Sequence, residues 1–210
     1  MSDLASAEPS DAVLLRQHAA GDPEAFGVLF KRHSARLWAV ALRITCDPDD
    51  AADALQEAMI SAFRRAGDFR GESAVTTWMH RIVVNASLDL LRRRSTRSVG
   101  WSGDPDDLPV PEPRPGTDST AGAESRLDVD AALQTLPPPQ RAALVLVDML
   151  GYSVADASAI LGVSEGTVKS RCARGRTKLL PHLSHLRGDY SRERNQTVTD
   201  GVSFEQGGGA

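Results

Sequence analysis

Between Ser164 and Lys178 the chain sets Lys169, Arg171, Arg174, Arg176 and Lys178 against a single acid, Glu165. Fixed cations at helical spacing neutralise phosphates and reach base edges, which is the chemistry of nucleic-acid binding rather than of bond making. Ser164 offers a hydroxyl to cap the helix that carries them. Gly166 and Thr167 keep its first turn small enough to approach a phosphate closely, and Ser170 lies beside the cations. Just upstream, Ser153 to Leu161 reads as a short helix of small and apolar residues that runs into Gly162, which can take the positive φ of a tight turn. Two short helices, a glycine turn and a basic second helix are the parts of a helix-turn-helix. A basic amphipathic helix on its own is as often a solvated face; the turn and the cap favour DNA.

A second constellation lies between Asp47 and Arg94. Asp49, Asp53, Gln56 and Glu57 ring one amphipathic helix with Leu55, and on their own these acids read as a solvated face. The segment Asp68–Glu72 follows as a loop. In it Phe69 could stack on an unpaired base, Arg70 could hold a phosphate, and Gly71 supplies a turn; a hydrophobic plug with a surface arginine is the alternative. Ser73 is placed to cap the next helix. That helix carries Trp78 as core or stacking platform, Asn85 as an amide suited to an adenine edge, and Arg92, Arg93 and Arg94 as backbone charge. No catalytic constellation accompanies these groups. The histidines are scattered, no phosphate-binding G-x-x-x-x-G-K-[ST] loop occurs, and Cys46 and Cys172 lack metal-ligand spacing. The reading is of a protein that is not an enzyme and uses no cofactor, metal or small-molecule substrate.

The elements that must position these residues read as helices throughout. Asp22-Pro23-Glu24 and Asp47-Pro48 are helix starts, with an acid at the cap and proline at the first position. Phe26, Leu29, Phe30, Leu37, Val40, Ala41 and Ile44 share one face, and Leu55, Met59, Ile60 and Phe63 form the apolar set of the next helix. No sustained period-2 run marks a strand. The chain has 210 residues, is 41% hydrophobic but only 5% aromatic, and has a net charge of −4. The average conceals blocks: Arg64 to Arg97 holds eight arginines against three acids, while Gly103 to Asp130 holds eight acids against two arginines. The fold class is therefore all-α, two small helical domains joined by a flexible acidic linker. Residues 1–10 read as disordered, 11–95 as the first domain, 96–123 as linker, 124–185 as the second domain, and 186–210 as a disordered tail. No targeting segment or apolar run of membrane-spanning length is present, so the expected location is the cytoplasm.

The wording and order of D-A-L-Q-E-A, F-R-G-E-S, T-W-M-H-R-I-V-V-N and L-G-V-S-E-G-T-V-K-S-R resemble the extracytoplasmic-function sigma factors of bacterial RNA polymerase, a branch of the sigma-70 family. The resemblance spans about 11–183. It implies a sigma-2 domain that binds core polymerase and the minus-10 element, and a sigma-4 domain that binds the minus-35 element. By resemblance, the helix with Asp53, Leu55, Gln56 and Glu57 docks on the polymerase clamp, Phe69 to Ser73 capture a flipped base, Asn85 reads the upstream minus-10 base, and Ser164 to Arg174 form the minus-35 recognition helix. Promoter DNA, core RNA polymerase and an anti-sigma factor are the implied partners. Val75-Thr76 departs from the aromatics some members carry there, Ser158 stands where alanine is usual, and Cys172 stands where leucine is usual.

Overall fold

The computed structural model describes residues 8–104, 106, 108–111 and 124–199, with 124–128 and 184–199 as helical backbone. Every regular element among them is helical. The segments 1–7, 112–123 and 200–210, read above as disordered ends and central linker, lie outside the described residues.

The first domain is built from α1 (Asp11–Ala19), α2 (Pro23–Thr45), α3 (Pro48–Arg65) and α4 (Val75–Val99). The proline starts hold: the Asp22 carboxylate accepts from the Glu24 amide at 3.0 Å and the Asp47 carboxylate from the Asp50 amide at 2.9 Å, each satisfying an orphan donor of the first turn. At its far end α2 closes on Cys46, which takes the left-handed conformation at φ 57 although it is not glycine. Inside the bundle, Leu29, Leu37, Val40 and Ile44 of α2 meet Met79, Val83, Val84 and Leu91 of α4. The buried stripe of α3 differs from the one expected. It consists of Ala51, Ala54, Ala58 and Ala62, all fully buried, while Ile60 and Phe63 are 44% and 47% exposed and Leu55 and Met59 are half-buried. Alanine at this spacing brings α3 close to its neighbours, which turns the larger apolar residues outward.

Two expectations at the domain's margins change. Glu8 and Pro9, in the segment read as disordered, are both bound by Arg32. The cap of α4 is Ala74, without a side-chain hydrogen bond, so Ser73 does not serve as the cap; its hydroxyl turns to the Ala74 carbonyl at 3.4 Å.

The second domain comprises α5 (Glu124–Gln134), α6 (Pro138–Leu144), α7 (Val154–Leu161) and α8 (Glu165–Thr199). A π-helical turn over Val145–Met149 extends α6. Ser153, read as the first residue of α7, is instead its cap, and Gly162 ends the helix as expected, at φ 66. The second helix runs much further than its recognition part, through Pro181 to Thr199, into the segment read as tail. The two domains touch. α4 packs on α7 and α2 on α6, and the carbonyl of Ile44 at the end of α2 accepts from the buried Arg141 of α6 at 2.6 Å. The stretch read as a flexible linker is held over its first part: Leu108 is 2% exposed and sits in the shared core.

Candidate nucleic-acid interface

The helix-turn-helix consists of α7, the Gly162 turn and the first half of α8. The Ser164 hydroxyl accepts from the Thr167 amide at 3.1 Å and lies 2.9 Å from the Thr167 hydroxyl, so the first turn of α8 is fixed by the residues singled out for it. Val168, Arg171, Cys172 and Gly175 form the buried ridge of α8. At 100° per residue, the opposite face presents Gly166, Lys169, Ser170, Ala173, Arg174 and Thr177. Lys169 and Arg174 are exposed on it; Lys169 is 3.7 Å from Glu165, and Arg174 donates to the Ser170 hydroxyl at 3.2 Å.

The remaining cations of α8 have other positions. Arg171 was expected beside Arg174 but is 5% exposed and paired with Asp106 of the linker, through Nε at 3.0 Å and through Nη2. Arg176 pairs with Asp148 through Nε at 3.0 Å and Nη2 at 2.7 Å. Lys178 is exposed on the flank of the helix. Gly175, which the sequence reading passed over, sits where a Cβ would meet Leu144 Cδ1 at 2.7 Å. The only hint available in the sequence was a glycine within a helical run.

On the first domain a groove of about 370 Å³ runs between α3 and α4 and is lined by Trp78, Ile82 and Asn85 of α4, with Arg65 and Arg81 at hand. The acids at this groove are engaged: Glu57 binds Arg93 at 2.6 Å and Asp89 binds Arg92 at 2.6 Å. Arg94 pairs with the buried Asp50. The three consecutive arginines expected as free backbone charge are thus all in ion pairs, which the alternation of acids on α3 and α4 makes available. Phe69 is half-buried and meets the Trp78 ring edge-on, with centroids 5.7 Å apart, so it braces the groove's aromatic wall. Arg70 and Ser73 are exposed in the loop, and Gly71 takes φ +75 there. Asp49, Asp53, Gln56 and Glu57 are exposed on α3, while Leu55 packs against the core. Arg65 and Arg81 were missed; each is an unremarkable surface arginine until α3 and α4 are brought together.

A buried contact joins the two domains. His80 of α4, 2% exposed, hydrogen-bonds through Nδ1 to the Tyr152 hydroxyl at 2.7 Å. Burial, with the nearby charges of Arg36 and His33, brings the His80 pKa from 6.5 down to about 4, so the ring is neutral at physiological pH.

An all-helical pair of domains, one with a helix-turn-helix and the other with an aromatic, amide-bearing groove, defines a DNA-binding transcription protein. The family is specific: residues 29–97 match sigma-70 region 2 and residues 126–179 match sigma-70 region 4. The chain is 50% identical over 179 residues to the ECF RNA polymerase sigma factor SigM of Mycobacterium tuberculosis, covering 85% of this chain and 87% of that one. It is 31% identical to the ECF RNA polymerase sigma-E factor of Escherichia coli, covering 81% and 93%. Among solved structures, CnrH in complex with the cytosolic domain of CnrY superposes with TM-score 0.58 at 28% identity, covering 84% and 99%. The Bartonella quintana sigma factor RpoE in complex with the anti-sigma factor NepR superposes with TM-score 0.59 at 27% identity, covering 76% and 96%. The chain belongs to the extracytoplasmic-function sigma factors of the sigma-70 family.

Proposed function

We propose that the chain is a promoter-specificity subunit. In this reading it binds core RNA polymerase through the exposed polar face of α3, reads the minus-35 element with α8, and opens and holds the minus-10 element in the groove between α3 and α4, for a stress-responsive regulon. It works in the cytoplasm and has no catalytic activity of its own. The observation that carries this reading is the groove, where an aromatic face, an amide and two arginines converge. Opening a duplex costs about 1–2 kcal/mol per base-pair step, which only groups that bind exposed bases can offset. Trp78 supplies a stacking surface, Asn85 a donor–acceptor pair, and Arg65 and Arg81 phosphate charge. The complexes of CnrH with CnrY and of RpoE with NepR support a protein inhibitor of the same kind for this chain.

Holoenzyme assembled from the full chain and core polymerase tests this on promoters recovered from a transcribed genomic library. Permanganate reactivity of unpaired thymines is expected with wild type and strongly reduced with Trp78→Ala and Asn85→Ala. Wild-type reactivity in both variants would move strand capture elsewhere on the molecule.

A further inference from the structure

Arg43 and Asp130 are charged side chains that neither proposed interface uses. Arg43 lies in the last turn of α2 and Asp130 on α5, and both are half-buried. Among the described residues neither side chain has a hydrogen bond or an ion pair, with the other or with a third group. The Arg43 Nε–H is sealed from solvent and donates to nothing. Native structures seldom leave a buried donor in that condition unless an acceptor arrives from outside the chain.

The two residues line one cavity of about 180 Å³ between α2 and α5. Its other walls are largely apolar, with Trp38 and Leu42 from α2 and Leu133 from α5. A fixed frame sets their spacing. Arg141 donates to the Ile44 carbonyl near the end of α2 at 2.6 Å and to the Gln134 carbonyl at the end of α5 at 3.4 Å. Cys46 lines the same cavity; its thiol pKa is raised chiefly by burial, and the charge of Asp130 adds to the rise, which sets that carboxylate near the cavity wall.

Charge and size decide what fits. A cation and an anion left unpaired at one apolar cavity select a ligand that carries the complementary pair. A lone anion would be repelled by Asp130, and a lone cation by Arg43. A small dipolar ion satisfies both: turning the Arg43 guanidinium toward the cavity presents Nε and Nη2 together, the fork that grips a carboxylate, while Asp130 accepts from an ammonium. An apolar cavity of about 150 Å³ admits benzene, so this one takes a compact apolar side chain and is too small for a nucleotide. The Trp38 indole with Leu42 and Leu133 gives that side chain its surface.

We infer that this cavity binds a free α-amino acid with an apolar side chain, its carboxylate on Arg43 and its ammonium on Asp130. The ligand bridges the two domains, because one charge comes from α2 and the other from α5. Binding therefore stabilises the folded chain by mass action as free ligand rises. The inference is independent of promoter reading and needs neither polymerase nor DNA.

Calorimetric titration of the full chain tests it with leucine, phenylalanine, glycine and glutamate, beside N-acetyl-leucine, which lacks the ammonium, and leucinamide, which lacks the carboxylate. Leucine or phenylalanine is expected to bind and to raise the thermal midpoint with concentration, and the other four to bind at least about tenfold more weakly. Asp130→Asn should weaken leucine at least about tenfold and leave N-acetyl-leucine unchanged. Arg43→Gln should weaken leucine likewise and leave leucinamide unchanged. No binding of leucine or phenylalanine at about 10 mM overturns the proposal. So does either analogue binding as tightly as leucine, or unchanged leucine affinity in either folded variant. Should a variant fail to fold by circular dichroism, nuclear Overhauser contacts between leucine methyls and the Trp38 indole of wild type decide, and their absence overturns the site. Transcription enters none of these readouts, so failure here leaves the sigma-factor reading standing.

Discussion

Arg141 shows how much one buried side chain can hold. It is 1% exposed and donates to the Ile44 carbonyl at 2.6 Å, the Leu136 carbonyl at 2.8 Å and the Gln134 carbonyl at 3.4 Å. One guanidinium therefore ends α2, fixes the turn after α5 and joins the two domains. Replacing it with leucine leaves those carbonyls without their donor, and each hydrogen bond from a charged group is worth about 1.5–3 kcal/mol. Arg141→Leu is expected to lower the unfolding free energy by about 3–5 kcal/mol in urea titrations; a loss below about 1 kcal/mol would mean that the carbonyls are satisfied otherwise. His80 makes a second prediction. Its folded pKa of about 4 lies below the unfolded 6.5, so in that window the unfolded chain binds a proton that the folded chain excludes. Its contribution is complete above about pH 6.5 and is lost as pH falls through about 4, a span on the order of 1–3 kcal/mol. Urea midpoints at pH 7.5 and 5 should show the loss in wild type and a smaller one in His80→Gln. Equal pH dependence in the two would assign it to other groups.

At the scale of the element, α8 has one face committed to packing and one to solvent. Arg174 stands on the open face, whereas Arg176 is bound to Asp148. Arg174→Ala should therefore weaken binding to a cognate minus-35 duplex by about 1–3 kcal/mol and relax specificity at one position, while Lys169→Ala weakens all sequences alike. Affinities measured against a panel of single-base variants separate the two; uniform weakening by Arg174→Ala would make it a phosphate contact. The packed face has its own requirement at Gly175. Alanine in a helix interior is ordinarily favoured over glycine by about 1 kcal/mol, but a Cβ here would press to 2.7 Å from Leu144 Cδ1 and 3.2 Å from its Cγ. Overpacking costs about 1–3 kcal/mol, so Gly175→Ala should be net destabilising by up to about 2 kcal/mol and Gly175→Val by more. A rise in thermal midpoint for the alanine variant would show that Leu144 steps aside.

Across the whole molecule, the exposed Asp53 and Gln56 of α3 lie on the side away from the Ala stripe, clear of the domain contact. Changing both to lysine should weaken core-polymerase binding by tenfold or more without altering the unfolding midpoint, as charge reversal does at a complementary surface. A competition pull-down against wild type measures it, and undiminished binding would reassign the docking face. What could be read from the residues alone divides along the same line between local and long-range causes. The starts at Asp22-Pro23 and Asp47-Pro48, the Gly162 turn and the Ser164 cap were legible because each depends on a few neighbouring atoms. The orientation of Arg171, the pairing of Arg92, Arg93 and Arg94, and the alanine stripe of α3 were not, because each depends on a surface supplied by residues distant in sequence. Composition also misled in two places. An acidic, proline-rich stretch still anchors Asp106 and Leu108, and polar residues beyond Pro181 still continue a helix.

The left-handed end of α2 has a chemical consequence. Cys46 closes that helix with its thiol toward the Arg43 carbonyl at 3.5 Å, and burial lifts its pKa from 9.0 to about 11. Only the thiolate reacts with alkylating agents and peroxide, and at neutral pH such a shift lowers the thiolate fraction about a hundredfold relative to an ordinary cysteine. Cys172 is 3% exposed, and burial raises its pKa as well. The native chain should resist iodoacetamide at pH 7 and take up two labels rapidly in urea. Rapid modification of the folded chain would mean that the end of α2 opens on the timescale of the reaction. Both thiols are thus kept chemically quiet by the packing that closes α2 and seats α8.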